Sequence, residues 1–349
     1  MNTPNVSILL PNLNNRPYLE ERIRTILEQR VGDWELIIID FYSDDGSWEY
    51  LRSCAEQDSR IKLSREPDRG IYAGWNDCLR LAKGEYVYIA TGDDTMSADF
   101  LEIMIKALED HPGCDLAHCR LKIIDEKGKD HPEICWDEFL AAVYFGGAIH
   151  KKHTRLAPHD GLLHCGIGTV YTSITQLLIR RRLFDKIGLF LTGYGPTADF
   201  EWGMRASLVA DTIHVPGYLA TWRIHGSQKT DQRYLKSAAH MTHMLEMIDH
   251  AVEAAKKINP VLSEKIKGRD LKYLYTKEKF RAEVLEQKNN LHRCKAVFKW
   301  LFINPKVLIE LFLSLLIKNK SFISKSESLE FSRKILTKYG AANNIRIEN

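Results

Sequence analysis

The sequence predicts an α/β fold in which a mostly parallel central sheet is followed by a C-terminal helical region. Three observations carry this. From Val6 to about Arg120, short apolar runs alternate with stretches patterned for helices. Acid-rich polar motifs stand directly after the apolar runs. From about Leu235 onward nearly everything reads as helix, with few glycines. At 349 residues the chain is long enough for about two domains. The divisions expected are 1–235, with two halves meeting near residue 120, and 236–349.

VSILL, WELIIID, IKLS and GEYVYIA read as buried strands. Between them Tyr18–Gln29, Trp48–Gln57 and Ile71–Leu81 place apolar residues three and four apart, which predicts helices. Ser47 is the expected N-cap of the second helix, and Ser97 that of a helix over Ala98–Asp110. Strand, helix and strand in this order imply right-handed crossovers and parallel pairing. Ligands of such sheets lie beyond the carboxyl ends of the strands. From about Leu121 the pattern is mixed. DEKGKD reads as a turn, GGAIHKKH and HCGIGT as irregular loops, and TQLLIRRRLFDKIGLF as a strand leading into a helix. TADFEWGMRASLVA then reads as a helix, and IHVPGYLATWRIHGS as two strands broken at Pro216 and Gly217.

Composition excludes several classes. With 44% hydrophobic and 27% charged residues and a mean hydropathy of −0.29, the chain is neither disordered nor a polytopic membrane protein. The formal charge of +3 gives no reason to expect nucleic acid as a partner. That small value hides an asymmetry: residues 236–349 carry a balance of +10 and the first 235 a balance of −7. The seven cysteines are odd in number and contain no CxxC, so reduced thiols are expected. The run Val6–Leu10 is too short for the core of a signal peptide, which points to a cytoplasmic location.

The residues suited to chemistry stand at strand ends. Asp40 closes LIIID and is followed by FYSDDGS. An acid there can accept hydrogen bonds from a base or ribose, and it serves equally as part of a turn and helix cap. Asp93 and Asp94 follow YVYIA in the run TGDDTM. Adjacent carboxylates repel unless a cation or water lies between them, and hard oxygen ligands suit Mg²⁺ or Mn²⁺. A solvated Gly-Asp turn is the plainer account of the same residues.

In order and spacing, VSILLPNLNN, IIIDFYSDDGS, EPDRGIYAGWN and LAKGEYVYIATGDD resemble the nucleotide-sugar half of the family-2 inverting glycosyltransferases of the GT-A fold. TADFEWGMR and TWRIHGS are similar to that family's later acid motif and to its histidine after the last strand. The likeness covers about residues 5–230, with donor functions in 1–120 and acceptor functions in 121–235. It implies that Pro11, Asn12 and Asn14 lie against the nucleoside and that Asp40 contacts the base. Asp68, Gly70 and Asn76 fall in the segment over the nucleotide. Thr91 and Gly92 occupy the metal motif, Asp93 and His225 are the implied ligands of a divalent metal, Mn²⁺ or Mg²⁺, and Asp94 is a further candidate. Asp199 is the implied general base. The implied donor is a nucleotide-diphospho-sugar carrying UDP, transferred with inversion to a saccharide.

Four departures from the family pattern stand out. Leu13 stands where an aromatic is common, Phe41 and Tyr42 replace the usual Asp-Gly, Thr91 replaces an acid, and Ala198 stands where a Glu often precedes the base. Acceptor recognition is less legible. Trp202 is a candidate stacking wall or a core residue, and His164 is a second candidate. Thr91 also leaves open a weakly active or inactive nucleotide-sugar-binding protein. A nucleotidyltransferase would want a Gly-rich basic loop where PNLNNRP stands.

In the tail, Asn304 and Pro305 read as N-cap and first position of a helix. It is apolar over most of its circumference from Val307 to Ile317, too short to span a bilayer. Lys295, Lys299, Lys306, Lys318, Lys320 and Lys325 flank it. Such a helix suits the inner membrane interface, where it would favour a lipid-linked acceptor, or packing on protein.

Overall fold

The structure, a computed structural model, describes residues 3–226, 232–287, 289–303 and 324–348. The expected helix over Val307–Ile317 lies outside the described residues.

The first half alternates as expected: β1 (Val6–Asn12), α1 (Arg16–Leu27), β2 (Trp34–Asp40), α2 (Ser47–Gln57), β3 (Ile61–Arg65), α3 (Ile71–Leu81), β4 (Tyr86–Ile89) and α4 (Phe100–Asp110). Every residue of β1, β2 and β4 is buried, because helices cover both faces of a parallel sheet. Both expected caps are corrected. Gly46, with φ 88°, precedes α2, and the Asp45 carboxylate rather than Ser47 accepts at its start, from the Ser47 and Arg16 amides. The fourth helix begins at Phe100, and the Ser97 carbonyl accepts from the Phe100 amide and the Gln29 side chain.

Next come β5 (Cys114–Ile124), α5 (Leu140–Phe145), β6 (His153–Arg155), α6 (His159–Ile167), β7 (Leu177–Arg180), α7 (Arg182–Ile187), α8 (Ala198–Ser207) and β8 (Asp211–Arg223). HCGIGT is therefore mostly the end of α6 and not a loop. Gly146–His150 forms a 3₁₀ turn. The two strands expected around Pro216 and Gly217 are one. β8 runs through them, and its register on β5 jumps from Val215 to Tyr218 and Ala220. A proline has no amide for the ladder, and the bulge absorbs it.

Among the described residues nine strands, the last of them β9 (Ile345–Ile347), make one sheet in the order β3-β2-β1-β4-β7-β5-β8-β6-β9. The first four pair in parallel, as does β5 with β8. Antiparallel pairing enters with β7, which runs against both β4 and β5, and at the β6 edge.

The C-terminal segment is helical in α9 (Gln232–Leu235), α10 (Ala238–Ile258), α11 (Val261–Lys265), α12 (Gly268–Leu271), α13 (Tyr273–Leu285), α14 (Asn290–Ile303) and α15 (Lys325–Lys338). It packs against the preceding part of the chain. α10 packs on α8, α15 packs on α6, and β9 (Ile345–Ile347) completes the sheet beside β6. A Cβ on Gly166 of α6 would lie 2.0 Å from Ser332 Oγ of α15, so glycine is what lets these helices touch. No helix among the described residues is long and apolar enough to cross a membrane.

Candidate active site

The carboxyl ends of β1, β2 and β4 and the final residues of β8 come together at one edge of the sheet. After β4, the chain turns at Thr91–Asp94, and β8 closes over this turn. Arg223, 1% exposed, holds it: Nε donates to the Asp93 carbonyl at 2.7 Å, and Nη2 meets the Glu21 carboxylate at 2.6 Å. The same guanidinium donates to the carbonyls of Asp125 and Glu126 at 3.2 Å. With its main chain locked by a buried cation, the turn presents Asp93 outward.

His225 meets it there, with Nε2 at 2.9 Å from Asp93 Oδ2. These two are 132 residues apart in sequence and form the pair expected to hold a metal. The Tyr18 ring lies against the histidine, with ring centroids 4.9 Å apart. The donors fit a divalent ion, because adjacent ligands about 2.1 Å from an octahedral cation stand about 3 Å apart. No group of three or more metal-type side chains occurs among the described residues.

Asp94 is corrected from a candidate ligand to an internal brace. It is 2% exposed, and its carboxylate accepts from the Thr91 hydroxyl at 2.7 Å and the Arg223 amide at 2.8 Å. Burial and the neighbouring Asp93 charge push its pKa well above the usual carboxylate range. Thr91 thus serves the turn through Asp94. Gly92 has a steric reason, since a Cβ there would lie 2.8 Å from the Asn15 side chain.

The residues expected against the nucleotide divide into framework and surface. Asp40 is fully buried, and both its oxygens are occupied. Oδ1 accepts from the Ser43 amide at 3.0 Å and Arg65 Nε at 3.2 Å; Oδ2 accepts from Asn12 Nδ2 at 2.9 Å and the Ser43 hydroxyl at 2.7 Å. Asn12 is buried with it, and Pro11 lies beneath α3 where Gly74 leaves room. Asn76 spends its amide on the main chain of Phe190, donating at 2.8 Å and accepting at 3.0 Å. Pro11, Asn12, Asp40 and Asn76 are therefore built into the framework beneath the strand ends. Asn14, Asp68 and Gly70 remain at the surface. Asp68 accepts from the Gly70 amide at 2.7 Å, and Asn14 accepts from the Asp44 amide at 3.0 Å.

Asp199 lies half-buried in the first turn of α8, where the helix dipole favours a carboxylate. Its Oδ1 stands 2.8 Å from the Tyr72 hydroxyl, which also lies 2.9 Å from the Pro196 carbonyl. Burial pushes the pKa of Asp199 up to about 6, partly offset by the Tyr72 hydrogen bond. A base that ionises near neutral pH is poised to take a proton. The helix behind it is anchored by buried Glu201, which pairs with Arg205 at 2.8 Å and His250 at 2.7 Å.

Trp202 and His164 are corrected from acceptor contacts to core residues. Trp202 is 0% exposed and stacks on Phe184 with centroids 5.1 Å apart. His164, also 0% exposed, accepts from the Val170 amide at 3.0 Å, and burial lowers its pKa to about 3. Three residues were missed: Tyr72, Tyr18 and Arg223. Tyr72 lies inside EPDRGIYAGWN and Arg223 stands two residues before His225, so both motifs were in view. Only the fold shows what these side chains reach.

The model of the family described as "Glycosyl transferase family 2" matches residues 7–188. An uncharacterized protein of Mycobacterium tuberculosis is 24% identical over 229 residues, covering 65% of this chain and 69% of that protein. The putative teichuronic acid biosynthesis glycosyltransferase TuaG of Bacillus subtilis is 35% identical over 100 residues, 28% of this chain and 40% of TuaG. The uncharacterized glycosyltransferase EpsJ of the same organism is 29% identical, over 33% of each chain. The chain thus spans two fifths or less of these two Bacillus relatives. Among solved structures, residues 1–349 of S. aureus TarS in complex with UDP give a TM-score of 0.59 at 15% identity, covering 97% of this chain and 90% of that one. Mannosyltransferase PcManGT of Pyrobaculum calidifontis, in complex with GDP-Man and Mn²⁺, gives 0.52 at 17% identity, covering 97% and 88%. At such identities the likeness establishes the shared fold.

Proposed function

The chain belongs to glycosyl transferase family 2, and from that membership we propose that it moves a sugar from a UDP-sugar to a saccharide acceptor, with inversion and with a divalent metal. One observation carries the reading: a strand-end acid and a distant histidine meet at 2.9 Å, in a fold that also supplies a separate half-buried acid whose pKa is raised to about 6. Asp93 and His225 would hold Mn²⁺ or Mg²⁺, which supplies Lewis-acid assistance to departure of the diphosphate. Asp199 takes the proton from the acceptor hydroxyl as that oxygen attacks the anomeric carbon opposite the leaving group. Tyr72 holds the Asp199 carboxylate in place and links the donor segment to the acid helix. Arg223 keeps Asp93 pointed outward.

The acceptor is proposed to be lipid-linked, in bacterial surface polysaccharide assembly. TuaG carries such a biosynthetic name. The basic C-terminal part suits an anionic surface at which such an acceptor resides. α14 adds an apolar element, with Leu291 and Phe298 seven residues apart and 65% and 64% exposed, interspersed with Lys295 and Lys299.

Asp199→Asn tests the base. It should bind UDP with Mn²⁺ as the unaltered protein does while losing about 10²–10⁴-fold in UDP-sugar turnover, followed by UDP release. Near-normal turnover would overturn the assignment.

A further inference from the structure

Among the described residues, two non-glycine residues have left-handed backbone: Asn14, with φ 54°, and Tyr42, with φ 58°. They stand after β1 and β2, on neighbouring loops at the carboxyl edge of the sheet. The loops are tied together, because the Asn14 amide donates to Ser43 Oγ at 3.0 Å and the Asp44 amide to Asn14 Oδ1 at 3.0 Å. Asparagine tolerates this conformation, whereas a bulky aromatic pays for it in steric strain. Such strain persists where surrounding structure imposes it, and it gathers at ligand clamps.

At Tyr42 the strain coincides with exposure. The side chain is 60% exposed, although the preceding Phe41 is buried in the core. The Arg65 guanidinium carbon lies 5.2 Å from the Tyr42 ring centroid and 4.2 Å from that of Trp48. Arg65 is itself held by Asp40 Oδ1 at 3.2 Å and the Ser43 carbonyl at 3.3 Å. The cation therefore lies over the ring of a side chain that is otherwise largely exposed. Near this ring, Asp40 has both oxygens filled from within, and Leu13 packs against the core.

We propose that Tyr42 is the platform on which the donor's nucleobase stacks, with Arg65 fixing the orientation of its ring. The proposal rests on the nucleotide-sugar reading of this edge and sharpens it, assigning base contact to a residue outside the metal and base-catalysis machinery. Stacking on an aromatic face tolerates any base. The ring would thus set the strength of nucleoside binding more than its selectivity.

Tyr42→Gly removes the ring and suits the left-handed backbone, so the variant should melt no lower than the unaltered protein. Titration calorimetry with UDP, UMP, GDP and GMP, and with pyrophosphate plus Mn²⁺, separates the contributions. The variant should bind the preferred nucleotide pair about tenfold more weakly, by the same factor for mono- and diphosphate and with or without Mn²⁺. Pyrophosphate binding should be unchanged, and Tyr42→Phe should bind like the unaltered protein. Equal nucleotide affinity in Tyr42→Gly overturns the platform and leaves the donor reading standing. If the unaltered protein binds none of the four nucleotides, both fall.

Discussion

The two halves of the sheet place their polar groups in different ways. In the parallel half, β1, β2 and β4 are mostly apolar; Ser7 and Glu35 are buried near the amino ends, and Asn12, Asp40 and the Thr91–Asp94 turn stand at the carboxyl ends. In the mixed half, polar side chains sit within the core. His118 of β5, His153 of β6, His214 of β8 and His159 and His164 of α6 are at most 1% exposed, around the buried pair Arg155 and Asp160 at 2.7 Å. His118 and His214 share a hydrogen bond at 3.0 Å, and the His214 ring lies 4.6 Å from that of His153. One half brings some of its polar groups, Asn14, Asp68 and Asp93, to a solvent-facing edge, although Asp40 and Asp94 stay buried there. The other seals its polar groups away, where they can specify packing and where their loss is felt as stability.

The comparison can be broken hardest at Asp160. Burial disfavours its charge, but Arg155 and His159 outweigh that and hold its pKa well below the usual range. Asp160→Asn leaves a guanidinium buried without its counter-ion and should cost about 3–5 kcal/mol in urea unfolding. A loss under 1 kcal/mol would show that this centre is not energetically sealed. The equivalent change at the other half, Asp93→Asn, should barely move the urea midpoint while impairing the proposed metal-dependent turnover.

Acid should find the same difference. Burial lowers the pKa of His153 to about 4 and of His164 to about 3, and it lowers those of His118 and His214 well below 6.5. These groups bind protons more readily when unfolded. Their contribution is complete above the unfolded value near 6.5, and it is lost as pH falls from there toward 4 and 3. Each histidine that takes a proton only on unfolding should cost about 1.4 kcal/mol per pH unit in that window. Unfolding midpoints measured from pH 7 to pH 4 would contradict the sealed core if they stayed flat.

The smallest effect concerns Tyr72, which spans the halves. Its hydrogen bond lowers the pKa of Asp199 against the upward push of burial. Tyr72→Phe should therefore move the acid limb of the pH–rate profile upward from about 6, with the plateau rate little changed. A shift downward would contradict the geometry.

The strand ends were legible because parallel strands buried on both faces read as unbroken apolar runs. A polar residue ending such a run marks the carboxyl edge, as Asp40 and Asp93 do. The orientation of those residues was not legible. Asp93 and Asp94 are adjacent and chemically identical, yet one faces outward and the other accepts from Thr91 and Arg223 within the protein. Asp40 likewise ends its strand as expected but turns both oxygens inward. Local sequence specifies the turn, whereas the direction of each side chain depends on partners as distant as β8.

By itself the sequence determined the alternation of strands and helices and the strand ends at which polar residues stand, and it singled out Asp93, His225 and Asp199 as candidates. Only the tertiary structure decided that Trp202 and His164 are core, that residues 345–347 return as a ninth strand, and that Tyr42 stands open on Arg65. The physical reason is range. Periodicity and strand-end polarity are written within a few residues, while burial and orientation follow from contacts across tens to hundreds of residues.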